Sequence, residues 1–178
     1  MNNKIKFSAF FAMLMLVFSV SAYAFRPMGP NIVETALAVN EESGEFSILI
    51  AALQAADPSI IQTLSGRGQF TVFAPTDAAF VAMLDELGLT AEEVLGNQEL
   101  LDTVLTYHVA RGHRSSLNVV LGRQIRTLQR SFVMTPGSVL VDELGREANI
   151  VTADIATSNG LIHVIDAVIL PEDAVAFI

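Results

Sequence analysis

The chain has 178 residues, no cysteine and a formal net charge of −9, and this length is typical of one compact domain. Without cysteine it contains no disulfide, no thiolate metal ligand and no cysteine nucleophile. The chain has 19 acidic and 10 basic residues. This excess of negative charge disfavours contact with nucleic acid phosphates and anionic lipid headgroups.

Residues 1–24 have the pattern of a secretory signal peptide. Lys4 and Lys6 precede an apolar run at 7–20, and small residues flank a cleavage position after Ala24. That run is shorter than the roughly 20 residues that a membrane-spanning helix needs. We therefore expect a secreted or periplasmic protein with no stable membrane insertion after cleavage, in which the proline-containing residues 25–30 form a short linker.

Helix signals fill the segment that follows. Asn31 and Glu34 have the spacing of a capping box, which predicts a first helix that ends near Gly44. Apolar residues at helical spacing across 46–53 predict a second helix, and a short third helix is expected before Gly66.

Residues 70–80 encode a strand, a corner and a helix. Residues 70–74 are mostly β-branched or aromatic, which favours a strand, and Pro75 cannot donate to a ladder. Thr76 is a suitable helix cap, and Asp77 places negative charge in the first turn. We predict that this helix folds back onto the sheet.

Further caps predict three more short helices, beginning near Thr90, Asn97 and Ser115. The character of the chain then changes, since β-like runs separated by glycine or proline follow. These runs lie at 124–128, 131–135, 138–142 and 148–153. The almost continuously apolar run from Leu161 to Leu170 predicts a strand covered on both faces. Helices followed by strands indicate an α+β fold.

Three ordered segments resemble the signature blocks of the fasciclin (FAS1) domain family. Residues 71–80 read Thr-Val-Phe-Ala-Pro-Thr-Asp-Ala-Ala-Phe, residues 107–109 read Tyr-His-Val, and residues 158–171 resemble the C-terminal block. The sequence departs from the family at Arg111, where many members have proline.

The resemblance covers residues 31–171 and leaves 172–178 as a short C-terminal tail. It implies a β-wedge of about seven strands flanked by several α-helices, with the first and last blocks meeting in the interior. It also implies a non-catalytic binding module for cell-surface adhesion, matrix attachment or protein interaction, with no cofactor and no metal.

Two histidines lie in these blocks. We expect His108 to be a packed residue bonded to a backbone carbonyl, and a binding role is the alternative. Its neighbour Tyr107 is a candidate recognition residue. His163 interrupts the apolar run, so it needs a partner such as Asn159, Asp77 or a backbone carbonyl. A structural role is favoured for Thr76, Asp77, Asn159 and His163. The remote alternative is a hydrolase that uses Asp77 and His163.

Basic residues cluster between positions 111 and 130, where no acidic residue occurs. This local island predicts a contact with an anionic glycan or an acidic extracellular or envelope protein, and ordinary surface charge is the alternative. The cluster consists of Arg111, Arg114, Arg123, Arg126 and Arg130.

Two other kinds of ligand have less support. Some fasciclin-type proteins hold a small apolar molecule such as a carotenoid. Binding of such a molecule here would need an apolar groove between the helices and the sheet. A metal site is disfavoured because Asp142, Glu143 and Glu147 lack EF-hand spacing, and a solvated acidic turn is expected there.

Overall fold

The computed structural model describes residues 29–177, so the predicted signal peptide and most of the expected linker lie outside the described residues. Helices dominate the first half of this range and strands the second. The helices are α1 (Ile32–Ser43), α2 (Ser47–Ala55), α3 (Pro58–Ser65), α4 (Asp77–Leu87), α5 (Ala91–Gly96), α6 (Gln98–Tyr107) and α7 (Ser116–Leu121). The strands are β1 (Phe70–Pro75), β2 (Val109–Arg111), β3 (Gln124–Arg126), β4 (Phe132–Met134), β5 (Val139–Val141), β6 (Glu147–Thr157) and β7 (Gly160–Ile165). The predicted α+β class is confirmed.

The seven strands form one sheet in the order β2-β1-β7-β6-β5-β4-β3. Only the central β1–β7 pair is parallel, and the other pairs are antiparallel. An isolated antiparallel bridge between Ala110 and Thr127 joins the two ends of this order. The sheet therefore curls into a nearly closed barrel, as the expected wedge of about seven strands requires.

Two apolar clusters hold the fold together. The larger one packs α1 to α6 against one face of β1 and β7, and Phe46, Leu101 and Ile162 lie within it. The smaller one fills the barrel and contains Phe73, Ile125 and Leu140. Because side chains alternate along a strand, β1 contributes Val72 to the first cluster and Phe73 to the second.

The first and last signature blocks meet in the interior, as the resemblance implied. Every residue of β1 and β7 is buried, and their parallel register pairs Phe70 with Gly160 and Phe73 with His163. A Cβ on Gly160 would lie 1.9 Å from the Phe70 carbonyl oxygen. This close approach explains why glycine stands at the start of β7.

Local capping signals locate the helix ends correctly. The Asn31 and Thr90 side chains each complete a capping box, with Glu34 and Glu93 respectively. Thr76 accepts a hydrogen bond from the Ala79 amide, which begins α4 at the predicted residue. These helices begin where predicted because a cap and its partners lie within four residues.

Three segments differ from the sequence expectation. Val109–Arg111 is a strand that was not predicted. The apolar run from Leu161 leaves the sheet after Ile165, although Val168, Ile169 and Leu170 remain buried. The expected tail includes a 3-10 helix, Glu172–Phe177, that buries Ala174. In each case contacts with distant residues, rather than local pattern, decide the structure.

Candidate functional site: an arginine cleft beside the sheet closure

The Tyr107 side chain is fully buried in the barrel cluster, and its hydroxyl donates to the Phe132 carbonyl at 2.9 Å. Burial raises the pKa of Tyr107 well above its ordinary value. The expectation that Tyr107 is a recognition residue is therefore wrong. The ring lies inside the barrel, where its hydroxyl anchors β4.

His108 is a packed residue, as expected, and is no more available to a partner than Tyr107. Its Nδ1 donates to the Val104 carbonyl at 2.8 Å, and its Nε2 accepts the Ile169 amide at 3.3 Å. Burial lowers the pKa of His108 to about 4. The neutral ring thereby ties the end of α6 to the chain that follows β7.

Asp77 and His163 have separate partners, so the structure does not assemble the acid–base pair that the hydrolase alternative requires. The Asp77 carboxylate accepts the amides of Ser47 and Ile48 at 3.2 and 2.8 Å, capping α2. The sequence predicted that Asp77 lies in the first turn of its own helix, α4, but did not predict that it caps α2. The Nε2 atom of His163 donates to the Arg114 carbonyl at 2.8 Å, and its Nδ1 accepts the Asp154 amide at 3.1 Å. Of the three expected partners of His163, the backbone carbonyl is the one found.

Asn159 has the structural role expected of it. Its side-chain oxygen accepts the Ile32 amide at 2.9 Å. Its amide nitrogen donates to the carbonyls of Leu64 and Gly66 at 2.6 and 3.0 Å. One buried amide thus joins the start of α1, the end of α3 and the turn before β7.

The acidic turn after β5 also differs from expectation. Asp142 is buried rather than solvated, and its carboxylate accepts the Arg146 and Leu170 amides at 2.8 and 2.9 Å. It also pairs with the Arg146 side chain at 3.2 Å. No group of three or more potential metal ligands occurs within residues 29–177.

Four of the five clustered arginines line one open cleft of about 460 Å³ at the closure of the barrel. Thr127 and Leu128 complete its lining. Arg123 is exposed but lies outside the lining, so the structure divides the predicted cluster. The lining arginines, referred to below as the arginine cleft, are Arg111, Arg114, Arg126 and Arg130.

The closure itself brings two of these side chains together. Ala110 and Thr127 form the antiparallel bridge and are buried. Arg111 and Arg126 each adjoin one residue of the bridge, both are exposed, and both line the cleft. Like charges placed around one cleft repel each other, so this arrangement lowers stability in the free protein.

Arg114 is held through its backbone by two fully buried side chains of the central strands. Thr71 accepts the Arg114 amide at 2.9 Å and donates to the Gly112 carbonyl at 2.8 Å. His163 binds the Arg114 carbonyl. Sequence reasoning missed Thr71, although a threonine inside a buried strand signals a polar group that needs a partner.

The arginines of the cleft and Arg123 make no ion pair with a carboxylate of residues 29–177. Both ion pairs in this range belong to Arg146, which contacts Glu86 and Asp142 at 3.3 and 3.2 Å. The Nε atom of Arg114 is buried without a hydrogen-bond partner in the same range. Guanidinium groups offer planar pairs of donors that match carboxylate, sulfate or phosphate oxygens.

Apolar cavities between the helices and the sheet are too small for a carotenoid. The two described ones measure about 20 and 30 Å³, which is room for one or two water molecules. Among residues 29–177, no single helix is long and apolar enough to cross a membrane. Only α2 and α3 taken together meet that test, and they bend by 116°.

Comparisons with known proteins match this architecture. The fasciclin domain family is matched over residues 44–171. Protein sll1483 of Synechocystis sp. is 43% identical over 131 residues, which cover 71% of this chain and 67% of that protein. Immunogenic protein MPB70 of Mycobacterium bovis is 36% identical over 157 residues, covering 83% and 77% respectively. A FAS1 domain pair from the insect cell adhesion molecule fasciclin I superposes with a TM-score of 0.57 at 20% identity, covering 72% of this chain and 46% of that one.

Proposed function

Because this chain belongs to the fasciclin domain family, we propose that it is an exported, non-catalytic binding module of the adhesion class. Its partner is an anionic glycan, and the arginine cleft is the contact surface. The signal-peptide pattern of residues 1–24 supports export. The adhesion class is supported by the similar fold in a cell adhesion molecule.

The non-catalytic assignment rests on how the polar residues of the signature blocks are used. Both ring nitrogens of His108 and His163 bond to the backbone. The Asp77 carboxylate caps a helix. A general base needs a free lone pair within reach of its substrate. These groups are committed to the fold, so we assign them no catalytic role.

One observation carries the choice of ligand. An acidic chain with a net charge of −9 gathers four arginines around one cleft and pairs none of them with a carboxylate of residues 29–177. Leu128 is the only apolar residue in the lining. The core of a protein–protein interface is depleted of charge and rich in aromatic anchors, so the cleft suits a hydrophilic polyanion better than an acidic protein.

Retention on immobilised heparin tests the proposal, with an uncharged dextran column as the reference. The wild-type protein should be retained on heparin at about 0.15 M salt, where an exposed cationic patch is only partly screened. The combined Arg111→Gln, Arg126→Gln and Arg130→Gln variant, in which all three changes line the cleft, should elute in the flow-through. The control is Arg67→Gln, which removes an exposed charge outside the cleft. Equal retention of the wild-type and triple-variant proteins would refute the proposed surface.

A further inference from the structure

We propose that the arginine cleft contains a socket for a single oxyanion group of the ligand, a sulfate, phosphate or carboxylate, centred on Arg114. This inference rests on the proposed function and refines it. A uniform basic surface would recognise charge density, whereas a socket recognises the position and geometry of one group. Four features of the cleft favour the socket.

The first feature is the fixed position of Arg114. Its amide and carbonyl are bound by Thr71 and His163, which are fully buried on adjacent central strands. The backbone at Arg114 is therefore fixed to two buried strands of the sheet. A preorganised donor loses little freedom when its ligand arrives, and this raises affinity for a group placed correctly in front of it.

The second feature is an unused donor. The Arg114 Nε atom is shielded from solvent and has no hydrogen-bond partner among residues 29–177. A buried donor without a partner lowers stability, and native proteins rarely retain one. When the guanidinium turns its Nε edge toward the cleft, an oxyanion there would satisfy Nε and an adjacent terminal nitrogen at once, in the bidentate geometry that arginine prefers.

The third and fourth features lie around Arg114. Arg111 and Arg126 adjoin the Ala110–Thr127 bridge and line the same cleft, so an anion that binds between them would relieve their repulsion. Arg130 adopts a left-handed backbone with φ of 83°, a conformation that stores strain at functional sites. Arg111, Arg126 and Arg130 thus surround Arg114, and their arrangement lowers the stability of the free protein.

Conservative Arg→Lys substitutions separate the socket from a diffuse charge surface. Lysine retains the charge but cannot form the bidentate pair. Affinity for a heparin-derived tetrasaccharide, measured by titration calorimetry, should fall roughly tenfold or more in Arg114→Lys, which is the scale of a lost hydrogen bond to a charged group. The matched control Arg123→Lys should bind like wild type. Both variants should keep the salt dependence of binding, because the number of charges is unchanged.

A second measurement reads the site directly. The Arg114 Nε–H resonance, assigned by its loss in Arg114→Lys, should shift on titration with inorganic sulfate. Methyl phosphate and glucuronate, titrated at equal ionic strength, identify which oxyanion the socket prefers. Arg126→Lys provides a second variant, and thermal melting curves check that each protein is folded.

The possible outcomes separate the two proposals. Wild-type affinity in Arg114→Lys, together with an unmoved Nε–H resonance, would refute the socket and leave a diffuse glycan surface. A wild-type protein that binds sulfate at Arg114 but no anionic glycan would refute the glycan and leave the socket. A shift of equal size at Arg114 and Arg123 would indicate an adventitious ion only and would also refute the socket.

Discussion

The centre of the sheet and its closing edge use polar groups in opposite ways. In the centre, Thr71 and His163 are fully buried, and each makes two hydrogen bonds. At the closing edge, Arg111 and Arg126 are exposed, line one cleft and have no carboxylate partner among residues 29–177. The centre therefore satisfies its polar groups within the fold, whereas the edge leaves its arginines without carboxylate partners in that range, as the proposed ligand site requires.

The two regions are also connected. Thr71 and His163 bind the backbone of Arg114, so two fully buried strands of the sheet fix one wall of the cleft. Binding residues commonly lie on loops that a rigid scaffold positions. Changes in the centre should accordingly reduce stability first, whereas changes at the edge should alter binding and leave stability equal or higher.

The largest expected effect is at the closest approach in the centre. Gly160→Ala would place a Cβ 1.9 Å from the Phe70 carbonyl oxygen, which forces β1 and β7 apart. We expect a loss of at least about 3 kcal/mol in the free energy of unfolding, measured by urea denaturation. The control Gly96→Ala adds a Cβ with nothing within 4 Å and should be neutral or stabilising. Equal stability of the two variants would contradict the role assigned to the β1–β7 contact.

The next effect concerns the buried carboxylate beside the centre. Asp142→Asn leaves the Arg146 side chain without its buried partner, and the new amide would face the Leu170 N–H. We expect a loss of about 3 kcal/mol, also measured by urea denaturation. Glu86, the other partner of Arg146, has a side chain that is 59% exposed. Its replacement in Glu86→Gln should lower the free energy of unfolding by less than about 1 kcal/mol. A larger loss of stability in Glu86→Gln than in Asp142→Asn would show that Asp142 is not the residue that holds Arg146.

The buried His108 predicts a dependence of stability on pH. Burial lowers the pKa of His108 from 6.5 to about 4, so between these values the unfolded chain binds a proton that the folded protein does not. Stability should therefore fall as pH drops from about 7 to 4, by as much as about 3 kcal/mol. Subtracting the pH profile of His108→Gln from that of the wild-type protein isolates this contribution.

The helices and most strands could be predicted because local signals specify them, whereas the meeting of the two signature blocks was implied by the family resemblance. Asn31, Thr76 and Thr90 cap their helices through partners within three residues. β2 was missed because it begins two residues after α6 ends, and no glycine or proline separates the two elements. Tyr107 was misjudged as a surface contact because its neighbours on α6 do not reveal that the barrel covers it.

The candidate site was predicted only in part, for a related reason. The cluster of arginines is visible in the sequence, but its division into a cleft and the separate Arg123 depends on the Ala110–Thr127 closure. The bonds from Thr71 and His163 to Arg114 span 43 and 49 residues. No local pattern predicts contacts at such separations.

The smallest expected effect has the opposite sign and distinguishes the edge most clearly from the centre. Arg130→Gly relieves a left-handed backbone with φ of 83° and should raise the free energy of unfolding by about 1 kcal/mol. It also removes a cation from the cleft, so retention on heparin should decrease. Arg130→Lys keeps both the strain and the charge and should resemble wild type in both measurements. A glycine variant that loses stability, or that keeps full retention, would mean that the strain at Arg130 is unrelated to binding, and the contrast between centre and edge would not extend to this residue.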